Sequence, residues 1–335
     1  VTLGVVVFWL IPGAIGAWVV SIVVSEYRRD RIPILLYHRF LSRRAAARGE
    51  VRDDEMIFVS YGDAFAEQMR FLSEAGYTTI DFDEYVEIRA GRKELPEKPI
   101  IVTIDDGYGS TYRIAYPEIR RNGLRATVFV ALEPDAETRS HVEGVDDFLS
   151  PDQIREMSSN GISFQSHTLT HCILAELDED AARFELAESR GRIEAITGHP
   201  VRHIAIPRAG YSRRTRGVVE SEGFLTACCN RKGSANLGTD PLALPRIVIE
   251  RDMTISEFAR CLTPKHSVVL RIIGTAKRIP EFMGGSRFAR RVRSVLYGGP
   301  AASLFRARNL KIALALVGAG YLLGTIWFTA AVLIG

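Results

Sequence analysis

Cysteine is scarce in this chain and badly placed for cross-linking. Only Cys172, Cys228, Cys229 and Cys261 occur in 335 residues. Two adjacent thiols make a poor disulfide framework, which favours a reducing compartment. A large excess of one charge is also lacking: Lys and Arg number 43 against 40 Asp and Glu, a formal net charge of +3. Nothing in that balance calls for a nucleic-acid partner. Internal repeats and low-complexity linkers are absent as well, so the middle of the chain reads as one α/β domain of ordinary barrel size.

Charge is missing altogether from both ends. Val1 to Ser25 and Ile312 to Gly335 contain no Asp, Glu, Lys or Arg, and each exceeds the roughly 20 apolar residues that span a bilayer core. The first lacks the basic region and small-x-small site of a cleaved signal peptide. The rival for the second is a hydrophobic hairpin in a soluble core. The expectation is two membrane helices, residues 1–25 and 312–335, in a two-pass protein of the cell membrane. Arg28, Arg29 and Arg31 follow the first, and Arg306, Arg308 and Lys311 precede the second. The positive-inside rule then puts the intervening domain on the cytoplasmic side, with the extracytoplasmic side as the alternative.

Acidic residues nearly vanish late in the chain. From Leu270 onward there are ten Lys or Arg and one acidic residue, Glu281. Within residues 282–308, Arg287, Arg290, Arg291 and Arg293 alternate with Phe288, Val292, Val295, Leu296 and Tyr297. The pattern suits a helix lying on an anionic lipid surface, and a solvated charge run is the alternative. Residues 263–311 are read accordingly as a basic segment at the lipid interface.

What the chain does contain is a set of metal-ligating residue types in two short stretches. Thr103-Ile104-Asp105-Asp106-Gly107-Tyr108 places two carboxylates after an apolar run, and Ser166-His167-Thr168-Leu169-Thr170-His171 supplies two imidazoles. A Zn²⁺-like ion that activates water needs three protein ligands and an open position. A second carboxylate beside it can take the proton from the water. Successive strand residues face opposite ways, so Asp105 and Asp106 can share a site only if the chain turns there, which Gly107 permits. Alone, an Asp-Asp-Gly is a solvated turn and an i, i+4 histidine pair an ordinary helix surface. Both at the ends of β-like runs, Ile100 to Ile104 and Gly161 to Gln165, point to a metal site. Zn²⁺, Co²⁺, Ni²⁺ and Fe²⁺ all suit such donors, with Zn²⁺ the first expectation for the single divalent ion.

These stretches resemble the polysaccharide deacetylases of carbohydrate esterase family four, with their NodB-type domain. The first family motif is matched by Ile104-Asp105-Asp106-Gly107 and the second by His167-Thr168-Leu169-Thr170-His171. The resemblance implies that Asp105 is the catalytic base and that Asp106, His167 and His171 bind the metal. It is closest to the circularly permuted poly-N-acetylglucosamine deacetylase branch, whose third motif reads like Tyr-Pro-Tyr-Gly-x-Tyr-Ser. Here that stretch is Ile206-Pro207-Arg208-Ala209-Gly210-Tyr211-Ser212. Pro207, Arg208 and Tyr211, with Tyr108, are the substrate contacts it implies. The changed residues put those contacts in question. Arg208 also stands near where other branches carry an arginine that orients the base, a solvated loop arginine being the alternative.

The C-terminal histidine that protonates the leaving amine in many members is absent in its Leu-x-His setting after residue 240, and His266 does not fit it. In the permuted branch that histidine comes first, in a strand ending Tyr-His, which Ile34-Leu35-Leu36-Tyr37-His38-Arg39-Phe40 matches. The resemblance therefore implies His38 as general acid, against a histidine merely packed at the rim. Leu244-Pro245-Arg246-Ile247 is a further segment of that branch. The likeness runs from Ile32 to Asp252, within a catalytic domain read as residues 32–262.

Alternating patterns fit a distorted (β/α) barrel of about seven strands, flanked by the two membrane helices. Helices are expected over Asp63 to Ala75, Tyr112 to Asn122, Pro151 to Asn160 and Asp178 to Thr197, with strands at Thr78 to Ile80, Ala126 to Ala131 and Leu242 to Ile249. The expected activity is metal-dependent hydrolysis of an N-acetyl group on an amino sugar. That sugar belongs either to an N-acetylated glycan or to a polyprenyl-linked or other lipid-linked intermediate beside the bilayer. The alternative is a membrane-bound glycan-binding or scaffold protein with a decayed site, which the retention of Asp105, Asp106, His167, His171 and His38 argues against.

Overall fold

A computed structural model describes residues 16–48, 55–140, 146–272 and 274–275. Its centre is a ring of seven parallel strands: β1 (Ile34–Tyr37), β2 (Pro99–Ile104), β3 (Thr127–Val130), β4 (Ser163–Ser166), β5 (His203–Ala205), β6 (Thr226–Lys232) and β7 (Leu244–Val248). Neighbours follow the order β1, β7, β6, β5, β4, β3, β2, and β2 pairs back onto β1. The expected distorted barrel is therefore present, and its distortion has a visible source. The short strand Thr78–Thr79 pairs with the first half of β2, whereas β3 pairs with Thr103 and Ile104 in its second half. Two strands share one edge of β2, which leaves seven around the C-terminal mouth.

All six residues of β2 are buried, as befits a parallel strand covered by helices outside and by the closed barrel inside. Alternation divides them. Ile100, Val102 and Ile104 pack outward into the core that includes Phe65, Met69, Tyr116 and Ile154 of the surrounding helices. Ile101 instead joins Ile34, Phe129, Ala205, Cys228 and Leu244 in an inner cluster, to which Phe82 and Tyr85 of the helix Phe82–Arg89 also belong. In phase with these inner residues lie Asp105 beyond β2, His38 beyond β1 and Arg246 on β7. An apolar plug thus fills the lower barrel and polar groups occupy the upper mouth.

Most expected helices form within a residue or two of their anticipated bounds. Asp178 caps Glu179–Thr197, and Gly198, with φ of 70°, ends it. Ser150 and Gln153 form a reciprocal cap on Pro151–Ser159. The helix after the first motif differs. It opens with a π-helical turn, Thr111–Ala115, before Tyr116–Arg121 becomes regular. Pro117 lacks the N–H that would bond the Arg113 carbonyl, and the Tyr116 amide bonds the Thr111 carbonyl instead. None of the four cysteines forms a disulfide.

The two expected membrane segments fall largely on residues 1–15 and 312–335, which lie outside the described residues, as do residues 282–308. Among the described residues, no helix is long and apolar enough to cross a membrane. Residues 16–26 are helical, with Trp18, Val20, Val23 and Val24 exposed and Ile22 and Glu26 buried. The end of this helix is fastened to the domain. Glu26 Oε2 lies 3.3 Å from Arg31 Nε and Oε1 lies 3.3 Å from Arg271 Nη1. The Asn236 side-chain amide donates to Ser25 Oγ at 3.0 Å, and Arg31 Nη1 donates to the Leu262 carbonyl at 2.7 Å. Ser25, Glu26 and Arg31 come just before β1, and Asn236, paired with Arg31, lies in the connection that leads into β7, so the anchors lie at the barrel end where the strands begin.

Candidate metal and catalytic site

The strand ends deliver the site by register. Asp105 continues the β2 ladder, its amide bonded to the Tyr37 carbonyl at 2.9 Å, and its side chain keeps the inward phase of Ile101 and Thr103. In a straight strand Asp106 would face outward. Instead it adopts φ of 74°, and Gly107 follows with φ of 80°. The turn therefore begins one residue earlier than Gly107 alone implies, and it swings Asp106 beside Asp105. Where a Cβ on Gly107 would sit, Val130 Cγ2 lies 2.6 Å away, so the chain needs glycine for space as well as for conformation. Among the described residues the non-glycine positions with positive φ are Lys98, Asp106, Thr168, His171 and Arg208. All but Lys98 belong to the three motifs, a concentration of strain expected where a site over-determines its backbone.

Asp106, His167 and His171 converge. Asp106 Oδ1 lies 3.3 Å from His167 Nε2 and 3.3 Å from His171 Nε2, and one donor atom from each of the three falls within 4.8 Å of the others. Asp106 Oδ1 is buried without a hydrogen-bond partner, an orphaned charge-bearing atom that a cation would satisfy. Each imidazole is held from behind. His167 Nδ1 lies 2.8 Å from the Ala205 carbonyl, and His171 Nδ1 lies 3.0 Å from Thr138 Oγ1. A carbonyl only accepts, so His167 carries its proton on Nδ1 and turns the Nε2 lone pair inward, the arrangement of metal-binding histidines. The donor set fits a divalent ion such as Zn²⁺.

Electrostatics separates the two aspartates. Burial pushes both carboxyls up, yet the neighbours prevail. Arg246 and His167 bring Asp105 below the ordinary range, and the two histidines bring Asp106 well below it. Burial also opposes charge on His167, but Asp105 and Asp106 outweigh it and raise its pKa. His38, at the end of β1, packs edge-on against Phe58 with centroids 5.1 Å apart. Loss of hydration lowers its pKa against the opposing pull of Asp106 and Asp105. It thus lies within electrostatic reach of both.

The arginine on Asp105 is Arg246. Its Nη1 and Nη2 donate to the two carboxylate oxygens at 2.7 Å each, in a fully buried pair. Arg208 directs its guanidinium elsewhere, to Glu137 Oε2 at 2.7 Å and to Asp135 Oδ2 at 3.0 Å. The segment Leu244-Pro245-Arg246-Ile247 held the signal for the true partner: Arg246 is in phase with Leu244 of the inner cluster, and a lone arginine on the inner face of a buried strand needs an acidic partner. Two other supports carry no comparable mark in the sequence. Glu185, on the long helix, accepts the amides of Leu169 and Thr170 at 2.9 and 3.0 Å and the Thr170 hydroxyl at 2.8 Å. Thr138 backs His171 from the short helix Ala136–Ser140.

The remaining implied contact residues have their own surroundings. Tyr108 is buried, stacked on Phe148 at 5.4 Å with the Arg39 guanidinium 5.6 Å from its ring. Tyr211 packs against the outer core, with Arg231 at 6.0 Å from its ring. Pro207 opens the turn Pro207–Ala209 that carries Arg208.

A closed parallel barrel with an Asp-His-His cluster and a second, arginine-held aspartate at its C-terminal mouth is a NodB-type domain. Residues 92–227 match the family model described as Polysaccharide deacetylase, and the chain belongs to the polysaccharide deacetylase family. It is 27% identical over 235 residues to YxkH of Bacillus subtilis (strain 168), a protein classed with the polysaccharide deacetylases, across 70% of this chain and 77% of that one. Over 54 residues it is 41% identical to the poly-beta-1,6-N-acetyl-D-glucosamine N-deacetylase of Escherichia coli (strain K12), which is 16% of this chain and 8% of that protein. Its fold is similar to the deacetylase PplD of Streptococcus pyogenes, solved with acetate, at a TM-score of 0.61 and 23% identity over 71% of this chain and 100% of that one. Membership implies a carbohydrate deacetylase.

Proposed function

We propose that the protein is a metal-dependent N-deacetylase that releases acetate from an N-acetylated amino sugar of a glycan. The observation that carries this reading is the buried, partnerless Asp106 Oδ1 faced by two Nε2 atoms at 3.3 Å, with a second carboxylate alongside. A divalent ion bound by Asp106, His167 and His171 would supply Lewis-acid polarisation of the amide and a more acidic water. Asp105, kept ionised by Arg246, would accept the proton of the attacking water. His38 would protonate the departing amine, and without that proton the tetrahedral adduct would expel the attacking oxygen again. Tyr108, Pro207, Arg208 and Tyr211 are assigned to the rim that meets the sugar. A decayed site would have no reason to retain the Asp105–Arg246 pair together with the three ligands.

The reading extends to a membrane anchor through the uncharged segments 1–25 and 312–335. The exposed apolar side chains of residues 16–26 support the first of these. That helix is fastened where the strands begin, whereas the site lies where they end, about 20 Å away for a six-residue strand. This separation favours a glycan reached away from the headgroups over a sugar held at them by a lipid link. The local likeness to a poly-N-acetylglucosamine deacetylase and the Tyr37-His38 strand end support placement in the permuted branch. Arg28, Arg29 and Arg31 support a cytoplasmic face by the positive-inside rule. A periplasm-only reporter fused after Arg31 is then silent, and an active one moves the domain outside. The activity itself is tested by acetate release from an N-acetylglucosamine oligomer and from a polyprenyl-linked N-acetyl sugar, with and without chelator. Chelator-sensitive release from the oligomer is expected. No release from either substrate by metal-loaded protein overturns the reading.

A further inference from the structure

We propose that Thr138 is a positioning residue that fixes His171 in the tautomer carrying its proton on Nδ1, and that Asp135 and Arg208 set the direction of the Thr138 hydroxyl. The inference rests on the metal-centre reading above and adds to it a support that none of the three motifs contains.

The argument is one of counting protons. Thr138 is buried, and its Oγ1 meets three neighbours. Asp135 Oδ1 lies 2.7 Å away, Arg208 Nη2 lies 2.9 Å away and His171 Nδ1 lies 3.0 Å away. A hydroxyl has one proton to give and two lone pairs to receive. An arginine nitrogen can only donate, so the Arg208 contact occupies one lone pair. An ionised carboxylate can only accept, and an O···O separation of 2.7 Å requires a proton between the atoms, so the hydroxyl proton goes to Asp135. One lone pair remains, and His171 Nδ1 must fill it as a donor. Nε2 is then unprotonated in the neutral ring and faces Asp106 Oδ1 at 3.3 Å.

The frame around Thr138 makes this direction hard to reverse. Asp135 also accepts the Thr138 amide at 2.8 Å, and Arg208 Nη2 contacts both carboxylate oxygens at 3.1 and 3.0 Å. The Arg208 guanidinium and the Thr138 amide and hydroxyl, all donating to Asp135, therefore leave the carboxyl no use for a proton of its own, and its pKa is lowered against the effect of burial. The irregular stretch before the helix is tied to the second motif, with the amides of Glu133 and Asp135 bonded to the carbonyls of Leu169 and Thr170 at 2.9 Å each. Arg208 and His171 themselves sit at φ of 49° and 64°, strained conformations that the network holds in place. The two ligating histidines thus differ in how they are held: His167 leans on a main-chain carbonyl that no substitution removes, and His171 leans on a side chain.

The test compares wild type with Thr138→Val, Thr138→Ser and Arg208→Gln. Zinc affinity is read by competition with a chromophoric chelator, and the protonated nitrogen of His171 by ¹H–¹⁵N NMR of metal-free protein at a pH that keeps imidazoles neutral. Wild type is expected to show a proton on Nδ1 of His171. Thr138→Val is expected to lose that signature and to bind zinc about 10- to 100-fold more weakly, while Thr138→Ser restores both and Arg208→Gln weakens binding by less than Thr138→Val. Thr138→Val with wild-type affinity and tautomer overturns the proposal, as does a wild-type proton on Nε2. Failure of the metal reading is distinguishable, because wild-type protein would then take up no zinc while the tautomer stays measurable.

Discussion

Arg246 holds Asp105 from inside the barrel through two parallel hydrogen bonds of 2.7 Å. The geometry fixes both the orientation of the carboxylate and its charge. With Arg246 present, Asp105 is ionised from below the ordinary aspartate range upward, so a base that must be unprotonated is ready across neutral pH. Arg246→Gln leaves the carboxyl buried with its main counter-charge gone, and burial then raises its pKa. The acidic limb of the kcat/KM profile should move to higher pH, and stability should fall by roughly 3–5 kcal/mol, the usual consequence of halving a buried pair. Arg246→Lys should recover charge but not the bidentate grip. A pH–rate profile that keeps its acidic limb in Arg246→Gln would show that Asp105 is not the titrating base.

The two adjacent aspartates should part company under the same chemical change. Asp105→Asn removes the proton acceptor and leaves the Asp106, His167, His171 set intact, so turnover should drop by about 10²- to 10⁴-fold with metal content unchanged. Asp106→Asn removes an anionic ligand and should empty the site at metal concentrations that saturate wild type. Metal analysis beside acetate release separates the cases. Loss of metal in Asp105→Asn, or retention in Asp106→Asn, would exchange or abolish the roles given to the pair.

Much of this arrangement could be read from residue order, because a strand's period of two and a barrel's inside and outside are both local rules. Asp105 lies four residues beyond Ile101 and is therefore inward, and the Gly107 turn was needed to bring Asp106 alongside. The same parity applied to β7 would have found Arg246, which stands among apolar residues two places after Leu244. Motif spacing points to Arg208 instead, yet its φ of 49° and its acidic neighbours Asp135 and Glu137 turn it elsewhere. Glu185 and Thr138 were out of reach for a different reason. Their partners are 15 to 33 residues away, and only the closing of the barrel decides which turn of a helix or loop meets the second motif. The seven strands are an expectation that holds, but their cause, Thr78–Thr79 and β3 sharing an edge of β2, is a tertiary fact with no local pattern.

Glu185 offers a test of how the second motif is held in shape. Its carboxylate receives three hydrogen bonds from Leu169 and Thr170, between Thr168 and His171, both at positive φ. Glu185→Ala strands those donors in a buried turn. Leaving buried donors without partners costs about 1–3 kcal/mol each before water or relaxation compensates, so a loss of roughly 2–4 kcal/mol in denaturant unfolding is expected, together with weaker metal binding as His171 drifts. Unfolding and zinc affinity both equal to wild type would mean that the turn holds itself.

Gly107 carries the sharpest steric requirement next to the ligands, and it can be divided into two parts. Any side chain there meets a backbone at φ of 80°, unfavourable for an L-residue by roughly 1–2 kcal/mol. A Cβ would also stand 2.6 Å from Val130 Cγ2 on β3, an overlap that typically adds about 1–3 kcal/mol. Gly107→Ala should therefore lose roughly 2–5 kcal/mol of stability by the sum of these two ranges and, because the overlap pushes on the residue after Asp106, most of its acetate release. Val130→Ala opens the space without touching the backbone. In a double-mutant cycle the pair should be less destabilised than the sum of its members, by the steric part alone, while the conformational part remains. Strict additivity would mean that the close approach to Val130 is not what demands glycine at this position, and that the turn beside Asp106 requires it for conformation only.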